Sequence, residues 1–317
     1  MADIDYSIVV PCYSSGDWLA ELVSRIQAVM EGNGSFEIIL VNDRSPDGKT
    51  WEAIMELAAK HESVMGIDLL YNVGQFKATL CGLDHARGNF IMTMDDDLQH
   101  PPEELTKLIS AMHENPGVDC VMGVYSTKHH SAVRNMGSRL VKSIMNRLYD
   151  KPVGVTTTSF RIMPADFAKT LALYQIAHPQ LGPLILSITK NIANVEVEHH
   201  DRKHGASGYG FIHLVRETLH SVINASILPL RWFSLLGFFT AGAAFLIAIF
   251  YFFRWAMGGA GVAGFTSLIL AISFFSGMLL AGIGVLGEYI GRLIQEVTGM
   301  PRYTVAAKVG DTDDEAC

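Results

Sequence analysis

Two stretches near the end of the chain constrain its fold more than any other feature. Trp232 to Phe253 reads WFSLLGFFTAGAAFLIAIFYFF and Phe265 to Leu286 reads FTSLILAISFFSGMLLAGIGVL, and neither holds a charged residue. A helix needs about 20 apolar residues to cross the hydrocarbon core of a bilayer, so both are long enough. Soluble helices of this length carry a polar stripe, which is missing here; a pair of helices buried in a large soluble core is the competing explanation. Ser276, Gly277, Ala281, Gly282 and Gly284 suit close helix packing, and a two-helix hairpin is expected. Arg231 precedes the first stretch, Arg292, Arg302 and Lys308 follow the second, and the intervening loop holds only Arg254. That bias predicts a multi-pass inner-membrane protein with both termini facing the cytoplasm.

The remaining sequence, within 317 residues at 49% hydrophobic and 18% charged, is rich enough in apolar residues to fold around a core. A formal net charge of -8 argues against nucleic acid as a partner. Cys12, Cys81, Cys120 and Cys317 form no CxxC pair, which fits inert thiols in a reducing compartment. The opening MADIDYSIVVPCYS has no basic region followed by an apolar stretch and cleavage site, so the N-terminal part is expected to stay in the cytoplasm.

Short apolar runs alternate with amphipathic ones. Tyr6 to Pro11, Phe36 to Asn42, Val64 to Leu70, Phe90 to Met94 and Asp119 to Val124 read as strands, and the stretches after Asp17, after Asp47 and from Pro102 read as helices. Strands separated by single helices predict an α/β domain with a mainly parallel sheet. Ligands in such sheets bind beyond the carboxyl ends of the strands, where PCYSS, NDRSPDG and DDDLQ stand.

In IMTMDDDLQHPPEE the strand period of two puts Asp95 and Asp97 on one face and Asp96 on the other. Two carboxylates sharing a face can hold Mg²⁺ or Mn²⁺, which take one or two carboxylates together with substrate phosphates. The alternatives are an acidic strand end that only caps the next helix, and a glycosidase pair, whose carboxyls lie about 5 to 10 Å apart.

The segments VVPCYSS, VNDRSPDG, NVGQFKATLCGL and MDDDLQHPPE, in this order, resemble successive motifs of the inverting glycosyltransferase family two. HHDRKHGASGYG, PLRWFSLLGF and GVLGEYIGRL with PRYTV are similar to its polyprenyl-phosphate branch, which includes dolichol-phosphate mannosyltransferase and undecaprenyl-phosphate sugar transferases. The resemblance implies a GT-A nucleotide-sugar-binding fold, with Pro11, Tyr13, Asp43 and Asp47 around base and ribose and Gly74, Lys77 and Asp96 also at the nucleotide. Asp95, Asp97 and Gln99 would hold the metal and diphosphate, and Arg202, Ser207 and Tyr209 would belong to a loop that closes over the diphosphate, with Arg202 in a catalytic role. Two departures stand out: Ser14 and Ser15 replace the Asn and Glu of the first motif, and Ser159 in TTTSFRIM stands where some relatives place an aspartate.

The implied reaction transfers a sugar from a UDP- or GDP-linked donor to undecaprenyl or dolichyl phosphate at the bilayer. A lipid phosphate has a second pKa near 6 and is a competent nucleophile at neutral pH, so loss of a general base at Ser159 is tolerable. From Tyr125 to Tyr149 there are five basic residues and no acidic one. On a helix, Val133, Met136, Leu140, Ile144 and Leu148 fall on one side and Arg139 and Lys142 on the other, as at a membrane surface; a helix packed on the sheet is the alternative. Arg134, Arg139 and Lys142 are expected to bind the acceptor phosphate, since guanidinium forks match phosphate oxygens.

His199, His200 and His204 lack a fourth soft ligand for zinc. The expected layout is a catalytic domain over 1–210, an amphipathic juxtamembrane helix over 211–228, a membrane hairpin over 229–290 and a tail over 291–317, with self-association allowed by the small residues of the second span. Rival functions are a processive polysaccharide synthase, for which Leu230-Arg231-Trp232 is only a motif fragment, a transferase for another lipid, and a non-catalytic partner of a flippase.

Overall fold

A computed structural model describes residues 4–125, 154–174, 181–198, 264–297 and 301–310, with isolated positions between 235 and 257. The chain divides into two units, Met1–Gly210 with Pro301–Cys317, and Phe211–Met300.

The first unit runs β1 (Tyr6–Cys12), α1 (Leu19–Met30), β2 (Phe36–Asn42), α2 (Lys49–Lys60), β3 (Val64–Leu69), α3 (Gln75–His85), β4 (Phe90–Thr93), a 3-10 turn (Pro102–Glu104), α4 (Leu105–Glu114), β5 (Cys120–Tyr125), β6 (Arg161–Pro164), α5 (Ala165–Leu173), α6 (Leu181–Ile188) and β7 (Ile192–Val197). β8 (Val305–Val309) comes after the second unit in sequence and still joins this sheet.

The strand order is β7-β5-β6-β4-β1-β2-β3-β8. β3, β2, β1 and β4 are parallel neighbours, while β6 lies antiparallel between β4 and β5, and β8 runs antiparallel along β3. The central strands read as unbroken apolar runs because helices cover both faces. Ile8, Val10 and Met92 pack with α1 and α4 on one face, whereas Val9, Ile39 and Ile91 pack with α3 and α5 on the other.

Residues 291–317, taken from the sequence as a single tail, divide. Residues 291–297 continue the apolar helix, and 305–309 form β8. The approach to β8 is stitched to three elements: Arg302 Nη1 donates to the carbonyls of Ala172 and Tyr174 at the end of α5, Tyr303 Oη donates to Asp84 on α3 (2.5 Å), and Leu70 N donates to Thr304 O (2.8 Å).

At the amino-terminal end of the strands, buried Glu37 on β2 accepts from Ser7 Oγ (2.6 Å) and Arg87 N (2.7 Å) through Oε1, and from Arg87 Nε (3.0 Å) and Nη2 (2.8 Å) through Oε2. Two guanidinium N–H groups on one oxygen and two further donors on the other satisfy this carboxylate and tie β1, β2 and the α3–β4 connection together, away from the strand ends that carry the polar loops.

In the second unit, α7 (Phe265–Val297) spans 33 residues, roughly 50 Å at 1.5 Å per residue. Its stretch Phe274–Gly291 has a mean hydropathy of 1.5. Among the described residues this is the one helix long and apolar enough to cross a membrane. Leu268, Ile272, Leu279, Leu280, Ile283, Leu286 and Leu293, spread around its circumference, are all exposed. The first expected span, 232–253, lies largely outside the described residues.

Candidate functional site

The loops after β1, β2, β3 and β4 enclose an open cleft of about 430 Å³, lined by Pro11, Cys12, Tyr13, Asp43, Asn72, Gly74, Gln75, Asp95, Asp96 and Asp97. The chain bends sharply to form it. Ser14 (φ 52°), Arg44 (φ 51°) and Leu98 (φ 57°) all adopt left-handed backbone in the loops after β1, β2 and β4. These are the positive-φ residues other than glycine among the described residues, and such strain concentrates where surrounding structure holds a ligand site in shape.

Asp43 organises the loop after β3. Its Oδ1 accepts from Val73 N (2.7 Å) and its Oδ2 from Gly74 N (2.8 Å) and Asn72 Nδ2 (3.1 Å). Burial raises its pKa above the ordinary carboxylate value, although the Val73 and Gly74 amides pull the other way. Gly74 has φ 88° and ψ 153°, a conformation open to glycine and costly for a side chain. Its exposed neighbour Gln75 begins α3 and reaches back into the cleft.

The parity of β4 carries into the acidic run. Asp95 turns toward α3 and β6, where Oδ1 accepts from Gln75 Nε2 (2.5 Å) and Oδ2 from Ser159 Oγ (2.6 Å). Asp96 turns to the opposite face: Oδ2 accepts from Tyr13 N (3.0 Å), and its carbonyl accepts from Trp18 Nε1 on the approach to α1 (2.6 Å). Burial pushes the Asp96 carboxyl up to about 6, and the charges of Asp95 and Asp97 add to this. Asp97 Oδ1 accepts from Gln99 N (3.1 Å) as the chain reverses at Leu98.

Thr50 links the first two loops, accepting at Oγ1 from Ser15 N (3.0 Å) and Gly16 N (3.2 Å). Gly16 approaches α2 so closely that a Cβ would meet the Lys49 carbonyl carbon and oxygen at 2.8 Å and Thr50 N at 2.9 Å. Ser14 N donates to Ser45 Oγ (3.0 Å), Ser45 Oγ to Asn42 Oδ1 (2.6 Å), and Asn42 Nδ2 to Asp68 Oδ1 (2.6 Å). The backbone N–H groups of Ser14 and Ser15, at the positions where Asn and Glu are expected, thus fix the loops to one another.

Residues 7–171 match the family model described as Glycosyl transferase family 2. A relative named undecaprenyl-phosphate 4-deoxy-4-formamido-L-arabinose transferase, from Shewanella sediminis (strain HAW-EB3), is 33% identical over 312 residues, covering 96% of this chain and 92% of its own. The chain belongs to glycosyl transferase family 2.

Another family member with the same name, from Pseudomonas aeruginosa (strain LESB58), is 32% identical over 315 residues, covering 96% of this chain and 91% of its own. Among solved structures, glucosyl-3-phosphoglycerate synthase from Mycobacterium tuberculosis in complex with UDP superposes with a TM-score of 0.51 at 15% identity over 71% of this chain and 79% of that one. The likeness establishes the GT-A fold for this family 2 glycosyltransferase.

Of the residues expected at the nucleotide, Pro11, Tyr13, Asp43, Gly74 and Asp96 line the cleft. Asp43 does so with its carboxylate already engaged by the 72–74 loop. Asp47 and Lys77 are not among the lining residues. Asp47 Oδ1 instead accepts from Thr50 N (3.3 Å) and Thr50 Oγ1 (3.2 Å) at the start of α2, and Lys77 sits in the first turn of α3, its N–H donating to Gly74 O (3.1 Å). Asp95 and Asp97 share the cleft, while Gln99 meets Asp97 through its backbone and is not among the lining residues. Arg134, Arg139, Lys142, Arg202, Ser207 and Tyr209 lie outside the described residues.

Sequence reasoning passed over Gln75, Asn72 and Trp18 and read Ser159 as a lost base. Their roles depend on partners in other loops, and spacing along one segment does not reveal such pairs. A residue flanking an already suspected motif, as Gln75 flanks Gly74, was the available signal.

Proposed function

We propose that this enzyme transfers a sugar from a nucleotide diphosphate donor to the phosphate of a polyprenyl lipid, with inversion at the anomeric carbon. The observation that carries this reading is the likeness to undecaprenyl-phosphate sugar transferases along 96% of the chain, membrane segment included.

Asp95 and Asp97 present carboxylate oxygens to one cleft. Among the described residues no three His, Cys, Asp or Glu side chains converge as a metal cage. An incomplete set of hard oxygen donors suits Mg²⁺ or Mn²⁺, whose remaining positions go to substrate phosphates and water. Asp95 and Asp97 would hold the ion, which when bound neutralises charge building on the departing nucleotide diphosphate. The fold neighbour glucosyl-3-phosphoglycerate synthase was crystallised with Mn²⁺ and UDP, which makes UDP-linked sugars the first donors to test.

Asp43, through Val73 and Gly74, shapes the wall against which the nucleotide lies. Gln75 and Ser159 fix the rotamer of Asp95, so that its lone pairs face a constant direction. A lipid phosphate, largely dianionic at neutral pH, attacks without a protein base, consistent with a hydroxyl rather than a carboxylate at Ser159. The remaining contribution is alignment of phosphate and anomeric carbon for in-line displacement, a role for Arg134, Arg139, Lys142 and the 199–210 loop.

The connectivity supports an even number of membrane crossings. β8 follows the 211–300 unit and pairs with β3, which precedes it, so the chain leaves one compartment and returns to it. With α7 as one span, a second crossing is required, and Trp232–Phe253 supplies it. The exposed apolar side chains around α7 would be unfavourable in water and suit lipid. Both flanks of the hairpin then lie on one side, and Arg231, Arg292, Arg302 and Lys308 outside the two spans favour the cytoplasmic one.

The test is transfer by purified full-length protein from a panel of UDP- and GDP-sugars, 4-deoxy-4-formamido-L-arabinose included, to undecaprenyl phosphate with Mg²⁺ or Mn²⁺. A lipid-linked monosaccharide is expected from at least one donor. Absence of product from every donor, or equal transfer to a soluble glycan, refutes the reading.

A further inference from the structure

Arg161 opens β6 opposite Thr93 of β4, two residues before Asp95. It is 3% exposed, its Nη1 is buried without a hydrogen-bonding partner, and its Nε makes only a long contact to Ser159 O (3.4 Å). Among the described residues no carboxylate forms an ion pair with it. A small hollow lies between its side chain and the cleft, bordered by Gln75, Thr79, Thr93, Asp95 and Ser159. Its charge and that of Asp95 interact. A buried guanidinium left short of partners costs several kcal/mol, and nothing in the packing of β6 demands one. Phe160, Ile162 and Met163 of the same segment are buried and apolar, and the buried polar groups on the neighbouring elements, Thr93 and Thr79, are uncharged.

We propose that Arg161 is the fixed counter-charge of the acidic cleft, holding its field on Asp95 so that the site accepts a divalent cation together with a nucleotide diphosphate and disfavours the cation alone. The inference rests on the metal–nucleotide reading above. Three adjacent carboxylates at 95–97 would by themselves draw a cation strongly into an empty cleft. A permanent positive charge behind Asp95 opposes that and attracts the diphosphate. Its lack of a dedicated anion partner leaves its field uncompensated in the direction of the cleft, where a salt bridge would cancel it. The route from Arg161 to the cleft runs through Ser159, whose carbonyl faces Nε and whose hydroxyl donates to Asp95 Oδ2 (2.6 Å). Arg161 therefore acts as a positioning and charge-balancing residue, not as one that touches the reacting atoms.

The test measures Mn²⁺ affinity of the full-length protein by electron paramagnetic resonance without nucleotide, and UDP affinity by calorimetry at saturating Mn²⁺. Arg161→Met removes the charge while keeping much of the volume. It is expected to bind Mn²⁺ alone at least about tenfold more tightly and UDP at least about tenfold more weakly, since even a pair of unit charges about 12 Å apart at an effective dielectric near 20 changes an equilibrium by about that factor. Arg161→Lys places an ammonium there whose pKa burial lowers; measured at about pH 6, where it holds its proton beside Asp95, it is expected to keep both affinities within about threefold of the parent at the same pH. A purely structural role predicts that both affinities fall together in the Met variant and are not rescued by Lys, and that result overturns the proposal. Should the Met variant fail to fold, the Lys variant still decides: loss of either affinity there overturns it. If the parent itself binds no Mn²⁺ with UDP present, the metal reading of the site fails; if the parent binds and the Met variant matches it, only the role of Arg161 fails.

Discussion

Replacing Asp43 by Asn isolates the part of the cleft that depends on one buried carboxylate. Asp43 accepts three N–H bonds, from Val73 N (2.7 Å), Gly74 N (2.8 Å) and Asn72 Nδ2 (3.1 Å), and the first two are within the charge-assisted range. An asparagine keeps one acceptor oxygen. The less costly orientation leaves that oxygen to Gly74 and Asn72 and turns the amide nitrogen toward Val73 N, so one backbone donor faces another. An unsatisfied buried donor costs about 1–3 kcal/mol, and losing charge assistance on two further bonds adds about 1 kcal/mol. Relief of burying a charge, which is what raises the Asp43 pKa, offsets part of this, leaving ~2 kcal/mol net. Urea unfolding of the detergent-solubilised protein should show that loss as a lower midpoint. Amide hydrogen exchange at Val73 and Gly74 should accelerate about tenfold or more, and UDP affinity should fall because the loop no longer holds its wall. Unchanged exchange at both amides together with an unchanged midpoint would refute the hydrogen-bond account of the loop.

Glu37→Gln puts an amide N–H₂ in place of one buried acceptor oxygen, so that either the Ser7 and Arg87 backbone donors or the partly exposed Arg87 guanidinium lose their acceptor; it should destabilise the catalytic unit by about 1–3 kcal/mol, read by urea unfolding, with UDP affinity in the folded fraction unaltered. Gly16→Ala drives a Cβ into backbone at 2.8–2.9 Å, and a loss of about 2 kcal/mol with reduced UDP affinity is expected; full parental stability would contradict the close approach. Asp96 has its carboxyl raised from 3.8 to about 6, so between these values the native state holds more protons than the unfolded state and stability falls as pH rises. The full shift corresponds to at most ~3 kcal/mol, and partial solvent contact reduces it to ~1–2 kcal/mol. Unfolding midpoints in EDTA from pH 4 to 7 should show this slope in the parent and a flatter one in Asp96→Asn.

The parallel heart of the fold was legible because buried strands with helices on both sides leave continuous apolar runs, as in YSIVVPC and FEIILVN. β6 was not, since Arg161–Pro164 begins with a charge and ends with a proline, and its strand state comes from the neighbours that flank it. β8 was hidden for a different reason: Val305–Val309 is short, lies beyond an apolar helix, and pairs with a strand more than 200 residues earlier. At the site, period-two alternation anticipated the split between Asp95 and Asp96, because β4 ends at Thr93 and its parity persists for three residues. The engagement of Asp43 by its neighbouring loop, and of Asp47 by Thr50, was not readable from motif order. A carboxylate at a strand end serves a ligand or a loop equally well in sequence, and only the distances to Val73, Gly74 and Thr50 separate the two.

The most direct measurement of the central claim is the anomeric configuration of the lipid product, determined by NMR after reaction of an α-linked nucleotide sugar with undecaprenyl phosphate, in parallel with Mn²⁺, with EDTA and with Asp97→Ala. A β-linked sugar phosphate formed with Mn²⁺, and absent from both other reactions, is the predicted result. An α-linked product, or undiminished product in EDTA, would contradict it.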